Sequence, residues 1–167
     1  MKITSAEAAK ILRGYTDEYN NLCIAEQNGK EYNAAVGEDP DELRPEYDYA
    51  STQAKLEELD RKIRKLKHTI NIFNSTTEVP GFDMTIDQVL VYIPQLTARI
   101  NRLFRMMNVL PKRRCTTSNY NNIIDYTYTN YDPAQAKADY EQARNTLAKL
   151  QTALDLVNST VTMEFEP

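Results

Sequence analysis

Four short motifs in this chain each predict the start of a helix, and they form two matched pairs. Residues 4–7 (Thr-Ser-Ala-Glu) and 85–88 (Thr-Ile-Asp-Gln) have the Thr-x-x-Glu/Gln form of a capping box. Residues 39–42 (Asp-Pro-Asp-Glu) and 132–135 (Asp-Pro-Ala-Gln) have a corresponding Asp-Pro form. In such a box the first side chain accepts a hydrogen bond from the first turn, and the fourth residue bonds back to the cap. The order of the motifs predicts a helical hairpin that is used twice.

Apolar residues spaced alternately by three and four follow each motif and indicate amphipathic helices. The predicted helices run from about Thr4 to Gln27, Pro40 to Phe73, Ile86 to Leu110 and Pro133 to Val157. Pro45 is expected to kink the second helix or delay its start, and Pro94 to kink the third. Six apolar residues of the second and fourth helices are predicted to be core: Leu59, Ile63, Leu66, Leu147, Leu150 and Leu154.

A short stretch of alternating residues, Ile123 to Tyr131, predicts a β-strand before the fourth helix. No two-residue glycine turn flanks it, so its partner is expected to come from Lys30–Val36, from the alternating tail Val161–Phe165 or from a second chain. The predicted fold is therefore mainly α. Two antiparallel long-helix hairpins form a four-helix, coiled-coil-like bundle with a small β-element.

The two hairpins share more than their caps. Asn-Ser-Thr occurs at residues 74–76 and again at 158–160, and the apolar positions before the two asparagines coincide. One interpretation is a single domain, residues 1–167, built from duplicated halves 1–84 and 85–167. The other is that any two amphipathic helices align in this way.

Composition is that of an ordinary globular protein, with 41% hydrophobic and 26% charged residues and a net charge of -4. No uninterrupted apolar run approaches the ~20 residues of a membrane span, and residues 1–14 lack a signal-peptide pattern. The two cysteines, Cys23 and Cys115, have no metal-ligand spacing. We therefore expect a cytoplasmic protein with reduced, buried thiols and no membrane span.

Several of these motifs together resemble a small family of uncharacterised bacterial helical proteins, some of which are named septicolysin. The matching features are Asp39-Pro40-x-Glu42-Leu43, the helix ending Ile70-Asn71-x-x-Asn74, residues 85–90, the strand at Ile124, the helix after it, and Leu154-x-x-x-Asn158. The resemblance covers nearly the whole chain, which departs from the pattern at Pro45 and Pro94. It implies a helical fold without established catalytic residues. The family name implies a membrane-active protein.

Catalytic and metal-binding chemistry finds little support in the sequence. His68 is the only histidine, so neither a Glu-x-x-His metal pair nor a catalytic triad can be assembled. Cys115 follows three basic residues, but no general base is placed near it to activate the thiol as a nucleophile. The four scattered glycines do not form a phosphate loop. We expect no catalytic, cofactor-binding or metal-binding residues and no enzymatic activity.

Basic residues form a candidate face for an anionic partner. They comprise Arg99, Arg102 and Arg105, spaced by three on the third helix, and the run Lys112, Arg113 and Arg114. The alternative is an ordinary solvated face, which is the usual meaning of such runs.

The eleven tyrosines suggest a different kind of surface. Tyrosine is favoured at interfaces, and a lone strand must satisfy its backbone groups somewhere. We predict an oligomer interface at Ile124, Tyr126 and Tyr128. The leading hypothesis is a non-enzymatic helical protein that acts through homo-oligomeric assembly or contact with an unknown protein partner. The alternative is a bundle that binds nucleic acid or another phosphate-rich partner through its basic face. A membrane-active, cytolysin-like protein is the weaker third hypothesis.

Overall fold

A computed structural model describes residues 1–115 and 124–166, which form four helices and three short antiparallel strand pairs. The helices are α1 (Ser5–Gly29), α2 (Tyr49–Thr76), α3 (Ile86–Met107) and α4 (Pro133–Thr160). The strands are β1 (Lys2–Thr4), β2 (Glu78–Val79), β3 (Met84–Thr85), β4 (Lys112–Arg114), β5 (Tyr126–Tyr128) and β6 (Thr162–Glu164). The prediction of a mainly α fold with four helices and a small β-element is confirmed.

The two threonine motifs form helix starts as predicted. Thr4 Oγ1 accepts a hydrogen bond from the Glu7 backbone N–H at 3.2 Å, and Glu7 Oε2 accepts one from the Thr4 N–H at 2.8 Å. The backbone hydrogen bond from Thr4 also lowers the pKa of Glu7, because it stabilises the ionised carboxylate. At the start of α3, Gln88 Oε1 accepts from the Thr85 N–H at 3.0 Å.

The two Asp-Pro motifs behave differently from each other. α4 begins at Pro133, where Asp132 Oδ1 accepts from the Ala134 N–H at 2.8 Å. The predicted start of α2 at Pro40 is wrong, because α2 begins at Tyr49. Asp39 closes only a local turn, accepting from the Asp41 N–H at 2.9 Å.

The cap of α2 is Asp48, whose Oδ1 accepts from the Ser51 N–H at 3.2 Å. Pro45 explains the late start. A proline disfavours helical backbone at the residue before it and has no N–H to donate to a preceding turn. In α3, by contrast, the helix continues unbroken through Pro94. The kink expected at Pro94 stays a prediction.

The described residues divide into two compact units, Met1–Thr76 with Val157–Pro167, and Thr77–Leu156. In the first unit α1 packs against α2, and β1 pairs with β6 so that Ile3 lies opposite Met163. Both of these side chains are buried, as is Phe165 directly after β6. The tail strand predicted at Val161–Phe165 is thus confirmed as Thr162–Glu164.

In the second unit β2 pairs with β3, with Val79 opposite Met84. Helices α3 and α4 share a core in which Leu96, Leu103 and Ala143 are buried, while Tyr140 and Leu147 are partly buried. Of the six predicted core residues, Leu59, Leu66, Leu150 and Leu154 are buried; Ile63 and Leu147 are half-buried.

Several details of the two halves correspond. Helices α2 and α4 are both 28 residues long, and each begins the same distance before its Asn-Ser-Thr sequence. When the two threonine caps are aligned, Ala8 corresponds to Val89, and both are fully buried. The β2–β3 register, with Val79 opposite Met84, matches the β6–β1 register, with Met163 opposite Ile3. These correspondences fit the predicted halves 1–84 and 85–167, whose origin by duplication stays a prediction.

Replacement of Asp48 by alanine tests the corrected start of α2. Because Asp48 caps the helix, Asp48→Ala should lower the free energy of unfolding by about 1 kcal/mol. The matched control Asp39→Ala removes a carboxylate that caps no helix and should cost less than half as much. Chemical denaturation measures both. A larger loss in Asp39→Ala than in Asp48→Ala would show that the helix begins at the earlier motif.

Candidate functional site

The strand predicted before α4 finds its partner within its own chain. β5 pairs antiparallel with β4, so that Lys112 lies opposite Tyr128, Arg113 opposite Thr127 and Arg114 opposite Tyr126. The prediction that its partner would come from Lys30–Val36, from the tail or from a second chain is wrong. β5 is also shorter than predicted, and Ile123 lies outside the described residues.

Alternation along these strands separates the side chains into two faces. Arg113 and Thr127 lie on one face, together with Cys115, whose Sγ is 3.0 Å from Thr127 Oγ1. Lys112, Arg114, Tyr126 and Tyr128 lie on the other, which we call the ribbon face. The structure therefore brings two residues of the predicted anionic-partner face together with two residues of the predicted oligomer interface.

Lys112 lies over both aromatic rings of the ribbon face. Its Nζ is 4.1 Å from the centroid of the Tyr126 ring and 5.4 Å from that of Tyr128. Cation–π contacts at exposed sites contribute about 0.5–1 kcal/mol each. The rings remain accessible, since Tyr126 is 47% and Tyr128 63% exposed. The ribbon face thus presents an ordered aromatic and cationic surface to solvent.

Hydrogen bonds hold the base of the ribbon, and one of them joins it to the end of α3. Tyr131 Oη donates to the carbonyl oxygen of Met106 at 2.9 Å, and the Thr129 N–H donates to the carbonyl oxygen of Pro111 at 3.1 Å. Further along the strands, the Cys115 N–H donates to the carbonyl oxygen of Asp125 at 2.8 Å. Several predicted site residues are therefore held on a scaffold rather than on an independent loop.

The remaining predicted site residues lie outside the ribbon face. Arg99, Arg102 and Arg105 are exposed along α3, and Arg113 is exposed on the opposite face of the ribbon. Ile124 is 54% exposed and precedes β5. The grouping of Lys112 with the tyrosines was missed by sequence reasoning. The available signal was Pro111, which favours an extended conformation at the end of α3.

The candidate reactive groups lie on different elements of the chain. His68 is exposed on α2, and Cys23 and Cys115 are free, half-buried thiols. Within residues 1–115 and 124–166, no group of three or more His, Cys, Asp or Glu side chains could hold a metal ion. Among the helices of that same part of the chain, none has the length and apolar character needed to cross a membrane.

Comparison with known proteins establishes similarity of fold. No protein-family model matches the chain, and no curated protein matches it either. A crystal structure of a functionally unknown conserved protein from Corynebacterium diphtheriae is similar, with a TM-score of 0.61 and 18% sequence identity. The similarity covers 98% of this chain and 100% of that one. The expectation of a bacterial helical fold without known function thus gains support, whereas the septicolysin name does not.

The contact between Lys112 and the tyrosine rings can be tested by NMR. Lys112→Ala should shift the ring-proton resonances of Tyr126 and Tyr128, because it removes the ammonium group above them. Arg113→Ala is the matched control: it removes a neighbouring cation from the opposite face and should leave those resonances nearly unchanged. Equal shifts in the two variants would contradict the assignment of the faces.

Proposed function

We propose that this chain is a non-enzymatic assembly protein that self-associates through its ribbon face. The observation that carries the proposal is the exposure of all six residues of β4 and β5. In the other two strand pairs of the described residues, Ile3, Val79 and Met163 are buried. The β4–β5 pair is therefore the strand pair that adds no buried side chain to either unit.

The chemical composition of the ribbon face suits a protein–protein contact. Tyrosine and arginine are enriched at interfaces and among the residues whose truncation weakens binding most. Exposed apolar side chains lie beside the ribbon in sequence, since Leu110 precedes β4 and is 67% exposed, and Ile124 precedes β5. A contact patch that includes these residues combines apolar, aromatic and cationic side chains.

The backbone of the ribbon also favours association. Hydrogen-bonded pairs in an antiparallel ladder alternate with pairs whose N–H and C=O groups point outward. The N–H groups of Cys115 and Thr129 donate to the carbonyl oxygens of Asp125 and Pro111, so these two pairs are hydrogen-bonded. By alternation along the ladder, Lys112 with Tyr128 and Arg114 with Tyr126 are the pairs whose backbone groups point outward. Within the described part of the chain, neither strand has a second neighbour. Open edges of this kind can bind a further extended segment.

A second candidate function is the binding of nucleic acid or another phosphate-rich partner. The supporting observation concerns six exposed cations: Arg99, Arg102, Arg105, Lys112, Arg113 and Arg114. The ion pairs of the described residues join Arg44 to Asp41 and Lys62 to Glu58, so these six are free of intramolecular ion pairs there. Binding of a labelled oligonucleotide that weakens steeply with added salt would favour this function.

Light scattering tests the proposed self-association. The wild-type chain at micromolar concentration should have the mass of an oligomer. Tyr126→Asp with Tyr128→Asp should reduce it to that of a monomer, because carboxylates replace the aromatic contacts, while the helical circular dichroism signal is retained. The control Val91→Asp adds a carboxylate at another exposed apolar position of the same unit and should leave the mass unchanged.

Two results would contradict the proposal in different ways. A monomeric wild-type chain would exclude self-association under these conditions. An oligomer whose mass is the same in the tyrosine variant would place the interface elsewhere.

A further inference from the structure

The segment between α1 and α2 has the opposite charge from the ribbon. Residues 37–48, which we call the acidic connection, contain six carboxylates and one cation, Arg44. All six carboxylate residues are exposed: Glu38, Asp39, Asp41, Glu42, Glu46 and Asp48. Within a chain of net charge -4, the acidic connection between α1 and α2 and the basic run 112–114 between α3 and α4 thus carry concentrated charges of opposite sign.

The acidic connection is held in place by specific contacts. The Tyr47 side chain packs over Gly29, where an added Cβ would come within 2.8 Å of Tyr47 Cβ. Tyr47 Oη donates to Glu26 Oε1 at 2.9 Å, and burial together with this bond raises the pKa of Tyr47. Glu26 also accepts from Gln53 Nε2 at 2.5 Å. These contacts fix the end of the connection to both α1 and α2.

Four of the six carboxylates in the acidic connection make local hydrogen bonds or an ion pair. Glu38 accepts from the Ala35 N–H at 2.7 Å, and Asp41 pairs with Arg44 at 2.9 Å. Asp39 closes a turn and Asp48 caps α2. Glu42 and Glu46 make none of the hydrogen bonds or ion pairs found among the described residues, and both are exposed. Their charges are therefore available to a cation from outside.

Apolar side chains are exposed in and beside the acidic connection. Leu43, which follows Glu42, is 46% exposed, and Val36, which precedes the connection, is fully exposed. The acidic connection and the residue before it thus offer exposed apolar side chains and two uncommitted carboxylates, and the ribbon face offers exposed tyrosines and two cations. The ribbon face and the acidic connection are therefore complementary in charge, and both expose side chains that can make apolar contacts.

We propose that the ribbon face of one copy binds the acidic connection of a second copy. The inference rests on the proposed self-association and names the surface that the ribbon face contacts. Tyr126 and Tyr128 pack against Leu43 and Val36, while Lys112 and Arg114 pair with Glu42 and Glu46 around them. Complementary charges of this kind steer encounter and fix orientation, so the contact is weakened by salt.

The proposed interface has two different sides, and this property allows a complementation test. The ribbon variant is Lys112→Glu with Arg114→Glu, and the connection variant is Glu42→Lys with Glu46→Lys. Each variant alone opposes like charges across the interface, so its dissociation constant should rise at least about tenfold. In a mixture of the two, every contact between different variants opposes unlike charges, so the mixture should assemble again with the two variants in equal amounts.

Two controls separate pairing across the interface from general effects of charge. A chain carrying all four reversals should self-associate again, because the charges are complementary once more. Glu57→Lys with Glu141→Lys makes the same charge change at two exposed helical positions outside both surfaces, and should leave assembly intact. Light scattering and analytical ultracentrifugation, at low and high salt, measure the masses.

The outcomes distinguish this inference from the proposed function on which it rests. A monomeric wild-type chain overturns both. Dissociation of the ribbon variant with an unchanged connection variant overturns the inference alone, and leaves self-association through another partner surface. Loss of oligonucleotide binding in the ribbon variant, with its mass unchanged, overturns the inference in favour of a nucleic-acid partner. Assembly restored by mixing supports the inference.

Discussion

The organisation of this chain depends on short antiparallel strand pairs at the starts of two helices. β1 runs directly into α1 and β3 runs directly into α3, while their partners β6 and β2 follow α4 and α2. Each pair places an apolar residue opposite another apolar residue, Ile3 with Met163 and Val79 with Met84. Because a one-residue slip would turn these side chains to the opposite face, burial specifies the register strongly. The first compact unit therefore contains β6, which follows α4 of the second predicted half. The second unit contains β2, which follows α2 of the first predicted half.

The β4–β5 pair differs from those two pairs because all six of its residues are exposed, and this exposure suggests a functional role. It buries no side chain, yet Tyr131 joins it to α3 and Lys112 lies over two of its aromatic rings. An exposed strand pair with open edges carries a risk of aggregation, because its unpaired backbone groups can pair with strands of other molecules. Proteins that retain such an edge commonly use it for binding. The proposed self-association through this face gives a role to both the tyrosines and the cations.

Local chemistry allowed much of the fold to be predicted from the sequence. Thr4 and Thr85 begin helices because their capping boxes require only residues of the first turn. Asp39 failed as a cap since Pro45, six residues later, delays the regular helix, and Asp48 then serves instead. The alternating residues around Tyr126 predicted a strand. Its partner was missed because three consecutive cations at residues 112–114 have no alternation, and because the connection between the strands is too long to carry a tight-turn motif.

Amide hydrogen exchange at several protein concentrations tests the central claim most directly, because it reports on individual backbone groups of the ribbon. Lys112, Arg114, Tyr126 and Tyr128 have outward-pointing N–H groups, whereas those of Arg113 and Thr127 bond within the ribbon. If the ribbon face forms the interface, exchange at the four outward-pointing amides should slow as concentration rises, while Arg113 and Thr127 change little. Exchange rates at those four amides that are the same at every concentration, in a chain that is nonetheless oligomeric, would contradict the account.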